Sequence, residues 1–252
     1  MISRLPRQRK LATAILTLSV SALLMPGVVT AQESDGWNFR ISPYLWALSL
    51  DGTTAAAGSD VPLDASFGDV LDLLNFALSA NMEWNKGKLS LILDATYADL
   101  EAKIDTGGAI GGSVEIKITM IDALVGLNVT EYADLYAGIR YNDQDITIIP
   151  DMLPDIELGD DWTDFVLGVR FSNELSDKWS FTGKFDVTVA GDSDSAWSTQ
   201  VLFLRHIGDN KHFDIGYRHY DVDYESGSGM SLFKWDVAHS GPVVGFSWEF
   251  GR

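Results

Sequence analysis

From residue 37 onward the chain alternates in hydrophobicity with a period of two. Leu135, Ala137, Ile139 and Tyr141 fall on one side of that period, and Tyr136, Gly138, Arg140, Asn142 and Gln144 on the other. The split recurs with Phe165, Leu167, Val169 and Phe171 against Asp164, Gly168, Arg170 and Ser172, then with Phe181, Phe185 and Val187 against Ser180, Lys184 and Asp186. Each run reads as a β-strand with one apolar face. The pattern predicts ten strands, near 37–50, 76–85, 88–100, 113–129, 133–148, 161–174, 178–189, 195–207, 211–224 and 232–250. Several exceed the roughly five or six residues usual in soluble sheets, and all reach the roughly 9 to 11 residues with which a tilted strand crosses a bilayer.

The connections alternate too. Asn85-Lys86-Gly87, 130–134, 173–177 and 208–211 are tight, whereas 51–75, 101–112, 149–160, 190–194 and 225–231 are mostly longer. Short turns at one end and long loops at the other, on an even number of strands, mark a transmembrane barrel with both chain ends on the short-turn, periplasmic side. Aromatic rings agree. Trp37, Trp84, Trp179, Phe213, Trp248 and Phe250 sit on the apolar phase near the short-turn end, with Tyr97, Tyr141 and Trp197 near the other; two aromatic girdles flanking an apolar band are what a bilayer selects. Trp162 and Trp235 lie on the polar phase instead, which puts them above the membrane or inside the barrel. A water-soluble barrel or sandwich also alternates, but its solvated face would carry many Lys and Glu, whereas here Gly, Ser, Asn, Asp and Arg dominate the polar side. The expected fold is therefore all-β: an antiparallel up-and-down transmembrane barrel of ten strands. A hairpin of 53–57 with 61–65 would make twelve.

Residues 1–31 read as a separate leader and 32–252 as the barrel. Arg4, Arg7, Arg9 and Lys10 precede an apolar stretch from Leu11 to Val29, broken at Pro26-Gly27, and Val29-Thr30-Ala31 offers a small-residue cleavage site before Gln32. That is the form of a secretory signal peptide, the alternative being an uncleaved anchor. Beyond residue 31 no window of 18 apolar residues exists, so a transmembrane helix is not available. Composition then narrows the functional classes. With no cysteine there is no disulfide framework and no thiolate zinc site. A formal charge of −18 argues against nucleic acid as a partner.

Ser42-Pro43-Tyr44-Leu45-Trp46, Asp51-Gly52, Ser66-Phe67-Gly68-Asp69-Val70-Leu71 and the terminal Gly241-Pro242-Val243-Val244-Gly245-Phe246-Ser247-Trp248-Glu249-Phe250 resemble an uncharacterised family of Gram-negative outer-membrane β-barrel, porin-like proteins. The resemblance spans almost the whole chain after the leader. It implies an outer-membrane location, lipid and lipopolysaccharide as surroundings, and no particular substrate or reaction. The last strand resembles the aromatic-ended signal read by the barrel-assembly machinery, with the departure that Gly251-Arg252 follow Phe250.

If apolar positions face lipid, the inward set contains Arg40, Arg140, Arg170, Lys184 and Arg218 beside Glu83, Asp94, Asp122, Asp164, Asp186, Asp214 and Glu249. Three of the arginines follow a Gly-apolar-Arg pattern, at Gly138-Ile139-Arg140, Gly168-Val169-Arg170 and Gly216-Tyr217-Arg218. Such a set either lines a narrow water path or pairs internally and fills the barrel. In the first long loop, Ser66 reads as a helix N-cap with Asp69 at the capping-box position. Phe67, Val70, Leu71 and Leu74 form one stripe of that short helix, a plug folded into the mouth or a cap over the rim. The outer loops are acidic, from Asp51, Asp60 and Asp64 through Asp151, Asp155, Asp160 and Asp161 to Asp192, Asp194 and Glu225, against Lys103. A path through the barrel would favour small cationic solutes.

Catalysis is not expected. His239 and Ser240 are adjacent, so on a strand they point to opposite faces and cannot form a dyad. His219 and Asp221 share a face, but one His near two acids is a chance event in so acidic a chain. His206 and His212 read as surface histidines near a periplasmic turn, no metal or other cofactor site is expected, and the Asp192 and Asp221–Glu225 segments lack the spacing of a calcium loop. The functional expectation is a narrow porin-like channel or closed barrel, or else a structural, surface-interacting barrel without transport; an outer-membrane hydrolase is the third possibility.

Overall fold

The computed structural model describes residues 36–251, apart from 57–58, 105–111 and 152–153. The leader at 1–31 with its cleavage site, and Arg252, lie outside the described residues. The strands are β1 (Asn38–Trp46), β2 (Ser49–Ala56), β3 (Ser59–Ala65), β4 (Leu74–Lys86), β5 (Leu89–Ile104), β6 (Gly112–Thr130), β7 (Ala133–Pro150), β8 (Ile156–Ser176), β9 (Trp179–Gly191), β10 (Ser195–Gly208), β11 (Lys211–Ser226) and β12 (Phe233–Phe250), with one helix, α1 (Phe67–Leu73), between β3 and β4. Sequential antiparallel pairing from β4 to β12 is closed by β1, which lies between β4 and β12. Ten strands thus complete an up-and-down barrel, and β2 and β3 are the two additional strands.

The predicted first strand is divided. Trp46 pairs with Val243 and Ser49 with Ser240, so β1 and β2 follow one line along β12 with a break at Ala47-Leu48. Opposite the break stand Gly241 and Pro242: Pro242 has no N–H for the ladder, its carbonyl accepts from the Ala47 N–H at 2.8 Å, and a Cβ on Gly241 would lie 1.9 Å from the Ala47 carbonyl oxygen. The hairpin anticipated in the first loop is β2–β3, with Thr53 opposite Pro62 and Leu50 opposite Ala65. Several strands also run further than their apolar pattern, β5 to residue 104 and β8 from residue 156, so residues 101–104, 112, 149–150 and 156–160 of the predicted loops are paired strand. Backbone pairing continues where the apolar face has ended, because the ladder needs hydrogen-bond partners and not oily side chains.

At the opposite end β4–β5, β6–β7, β8–β9 and β10–β11 are joined by two residues each. Inside and outside are reversed relative to a soluble barrel. Phe76, Leu78, Leu127, Leu135, Phe165, Phe171, Phe203, Ile215 and Phe246 stand exposed on the outer wall, while Glu83, Asp94, Asp122, Arg140, Asp164, Asp186 and Arg218 are buried within. Exposed apolar surface on this scale needs a nonaqueous neighbour. Near the short-turn end Phe39 packs on Trp84 and Phe250 at ring separations of 5.1 and 6.1 Å, and the Arg205 guanidinium lies 5.7 Å from the Trp179 ring, so the aromatic edge carries a cation at its margin.

Candidate functional site

The lumen is the site that the sequence singles out, and it is built in tiers. At the short-turn end, Arg40 on β1 donates to Glu83 on β4 at 2.6 Å, and Arg170 on β8 donates to the other Glu83 oxygen at 2.8 Å and to Asp134 at 2.6 Å. Midway up, Arg140 makes two bonds to Asp122, at 2.7 and 2.9 Å, and one to Asp186 at 3.0 Å. Tyr136 and Ser198 also donate to Asp186, at 2.9 and 2.7 Å. On the facing wall Arg218 donates to Asp94 at 3.0 Å and to the Tyr44 hydroxyl at 2.8 Å, while Asn81 donates to the second Asp94 oxygen at 3.0 Å. Arg140 grips Asp122 through two nitrogens and both carboxylate oxygens, the forked geometry that suits Arg and not Lys, while Arg40, Arg170 and Arg218 reach carboxylates on other strands through single oxygens.

Eight of the twelve predicted lumen charges therefore meet in three clusters: Arg40, Glu83 and Arg170; Arg140, Asp122 and Asp186; Arg218 and Asp94. The other four have different contacts. Asp164 accepts from the Ser193 N–H and hydroxyl, Asp214 from the Ser247 hydroxyl, Lys184 lies 5.6 Å from the Tyr136 ring, and Glu249 lies 3.4 Å from His212. Sequence reasoning missed Asp134, placed by it in a turn, and the buried hydroxyls of Tyr44 and Tyr136. The Tyr136 ring lies where a Cβ on Gly168 would be, 2.4 Å from its Cζ, which is the use this barrel makes of that glycine.

Towards the loop end aromatic and aliphatic side chains fill much of the lumen, with Asn142, Gln144 and His239 buried among them. Trp46, Trp162, Trp235, Tyr220, Ile118 and Met120 belong to one buried cluster, with Trp162 and Trp235 only 1% and 0% exposed. Trp162 stacks on Tyr224 at 4.3 Å, His239 packs on Tyr220 at 5.5 Å, and the Arg140 and Arg218 guanidinium groups lie 4.8 Å from the Tyr220 ring and 4.7 Å from the Trp46 ring. The two tryptophans out of phase with the apolar pattern are thus internal. Below the arginine tiers a cavity of about 860 Å³ opens at the short-turn end, bordered by Arg40, Glu83, Asp134, Arg170, His206 and His212. His206 and His212, expected as surface histidines near a turn, face into this vestibule with their rings 4.7 Å apart.

The helix forms as its cap predicts. The Asp69 N–H donates to the Ser66 hydroxyl at 3.3 Å and the Ser66 N–H to the Asp69 carboxylate at 2.9 Å. Its stripe is divided, however. Val70 is 5% exposed and joins the internal cluster, with Leu74 packed against it, whereas Phe67 and Leu71 are 43% and 53% exposed. A helix of seven residues resting on β2, β3 and β5 has room to direct one side of a turn inward, so the four residues do not enter the mouth together.

Outside the lumen, His219 and Asp221 lie on the outer wall of β11, and Ser240 of β12 stands directly opposite His219. His239 turns inward, as alternation requires.

No family model matches the chain, and no curated protein matches it by sequence. Solved structures do match in shape. The outer-membrane protease OmpT from Escherichia coli is 10% identical, with 86% of this chain and 97% of that one aligned at a TM-score of 0.60. The translocator domain of the autotransporter NalP from Neisseria meningitidis is 14% identical over 87% of this chain and 90% of that one, at a TM-score of 0.41. The attachment invasion locus protein Ail of Yersinia pestis is 11% identical over 86% of this chain and all of that one, at 0.40. The fold is that of the outer-membrane β-barrels.

Proposed function

We propose that this chain is an exported outer-membrane protein whose barrel is closed to solutes, and that it acts as a structural and surface-interaction protein rather than as a porin-like channel. One observation carries the reading: the loop-side half of the lumen is filled by Trp46, Trp162, Trp235, Tyr220, Ile118 and Met120, above arginine tiers that already span the interior. Small barrels are filled by side chains in this way. The exposed apolar wall supports a bilayer as surroundings, with lipopolysaccharide against the loop side, and the aromatic end of β12 supports delivery by the barrel-assembly machinery after removal of the leader. The acidic outer rim would repel polyanions and attract cations, small cationic solutes among them, without passing them through.

Planar-bilayer conductance tests the proposal. The wild-type protein should show no steady conductance, and Trp162→Ala with Trp235→Ala should raise it by opening the packed half. Steady wild-type conductance would replace this reading with that of a narrow channel, whereas deletion of 66–75 should have a smaller effect than the paired tryptophan change, since Val70 is the helix's one fully buried side chain.

A further inference from the structure

Ser240 and His219 meet on the outside of the barrel. They are register partners on β12 and β11, and the Ser240 hydroxyl oxygen lies 2.6 Å from His219 Nδ1. The hydroxyls that flank the pair are engaged elsewhere: Ser49 donates to the Ser240 carbonyl at 2.9 Å and Thr199 to the Lys184 carbonyl at 3.1 Å. Ser240 is therefore the hydroxyl in this row that faces an imidazole. The Trp197 ring packs on His219 at 4.5 Å and limits its freedom, and His219 Nε2 is buried with no hydrogen-bond partner among the described residues.

The height of the pair on the wall is as informative as its geometry. Just below it the outward residues are apolar, Tyr217 and Ile215 on β11 and Pro242, Val244 and Phe246 on β12. Just above it Asp221 and Asp51 face outward. Ser240 is ten residues from Phe250 along β12, and at about 3.3 Å per residue and a tilt of about 40° this is roughly 25 Å, the height of the apolar band of a membrane barrel. The pair thus lies where the apolar wall ends, at the depth where acyl chains of the loop-side leaflet join their head groups through esters.

We propose that Ser240 and His219 form a nucleophile–base dyad that accepts an acyl group from an ester-linked membrane lipid. With the ring proton on Nε2, Nδ1 takes the Ser240 proton as the hydroxyl oxygen attacks the ester carbonyl carbon. The tetrahedral intermediate collapses, the C–O bond to the lipid alcohol breaks, and His219 returns the proton to that alcohol. Water, deprotonated by His219, then releases the fatty acid and restores the Ser240 hydroxyl. No redox partner or metal enters the balance. Among the described residues no acid bonds His219 Nε2, so the dyad is a slow catalyst whose covalent intermediate is the species to detect.

The inference uses the membrane location proposed above, but its first readout does not depend on it. Full-length folded protein in detergent is incubated with an alkyl fluorophosphonate, and the adduct is located by peptide mass spectrometry, a measurement that needs no variant. An adduct on Ser240 is expected, with labelling reduced at least about tenfold by His219→Asn and abolished by Ser240→Ala. Fatty-acid release is then measured from vesicles of phosphatidylethanolamine and from vesicles containing lipopolysaccharide. Release from either identifies the lipid source, and it should fall about 100-fold in His219→Asn, the scale of a lost general base. Absence of an adduct on Ser240, or equal release by the wild type and Ser240→Ala, overturns the proposal and leaves the pair as a structural hydrogen bond. An adduct on a protein that fails to enter vesicles would instead sink the membrane location and keep the dyad.

Discussion

Replacing Arg140 with Met tests whether the lumen is dry. Arg140, Asp122 and Asp186 are each at most 3% exposed, and Arg140 makes three charge-assisted bonds of 2.7 to 3.0 Å. Removing the guanidinium strands two buried carboxylates, and breaking a buried pair in this way costs about 3–5 kcal/mol. At about 1.4 kcal/mol per tenfold, the folding equilibrium should shift roughly 100- to 4,000-fold. Adding Asp122→Asn and Asp186→Asn to Arg140→Met removes the stranded charge, and the triple variant should recover to within about 1–2 kcal/mol of wild type, since neutral replacements of buried ion pairs are often tolerated. Equilibrium unfolding in lipid vesicles, followed by fluorescence of the eight tryptophans, reads both values. A loss below about 1 kcal/mol in the single variant would mean that water already solvates Asp122 and Asp186, a result incompatible with a closed lumen.

Further outcomes follow from local geometry. Gly168→Ala places a methyl 2.4 Å from Tyr136 Cζ and 2.7 Å from the Phe185 carbonyl oxygen; overpacking of this kind costs about 1–3 kcal/mol, read as a lower unfolding midpoint. Ser66→Ala removes the cap of α1, and the Val70 amide, which donates to the Ser66 carbonyl at 2.9 Å, should exchange hydrogen faster. The Ser66 hydroxyl and N–H hold the Asp69 carboxyl below its ordinary range, so the cap is at full strength above the unfolded carboxyl value and is lost as pH falls through the lower folded one; Val70 exchange in acid should approach that of Ser66→Ala. Burial alone would raise the Asp160 carboxyl, but hydrogen bonds from Ser226 and Tyr224 outweigh it and hold the group low. By the same sign, this link between β8 and β11 weakens on acidification, and faster proteolysis of the adjoining loop at 227–232 should report it.

The architecture was legible because its code is local. Period-two alternation names the outward and inward face of each strand, and a bilayer makes that alternation uninterrupted over more residues than a soluble sheet needs. The hairpin within the first loop, the capped helix and the inward arginines followed from the same reading, as did the anomaly of Trp162 and Trp235. Strand ends were underestimated because hydrogen bonding outlasts the apolar pattern, and the break at Ala47-Leu48 escaped notice because its cause, Gly241-Pro242, lies about 200 residues away in the chain.

Which side chains face the lumen can be read from the chain alone, since alternation is a property of a single strand. Which of them touch is a matter of three-dimensional assembly: Arg170 shares Glu83 with Arg40, Asp134 completes this group, and His219 meets Ser240 rather than Asp221. Those contacts depend on the register between strands and on closure of the barrel. Slipping one strand by two residues preserves every inward and outward assignment while changing every neighbour, so the pattern along one strand carries no record of its partners across the sheet.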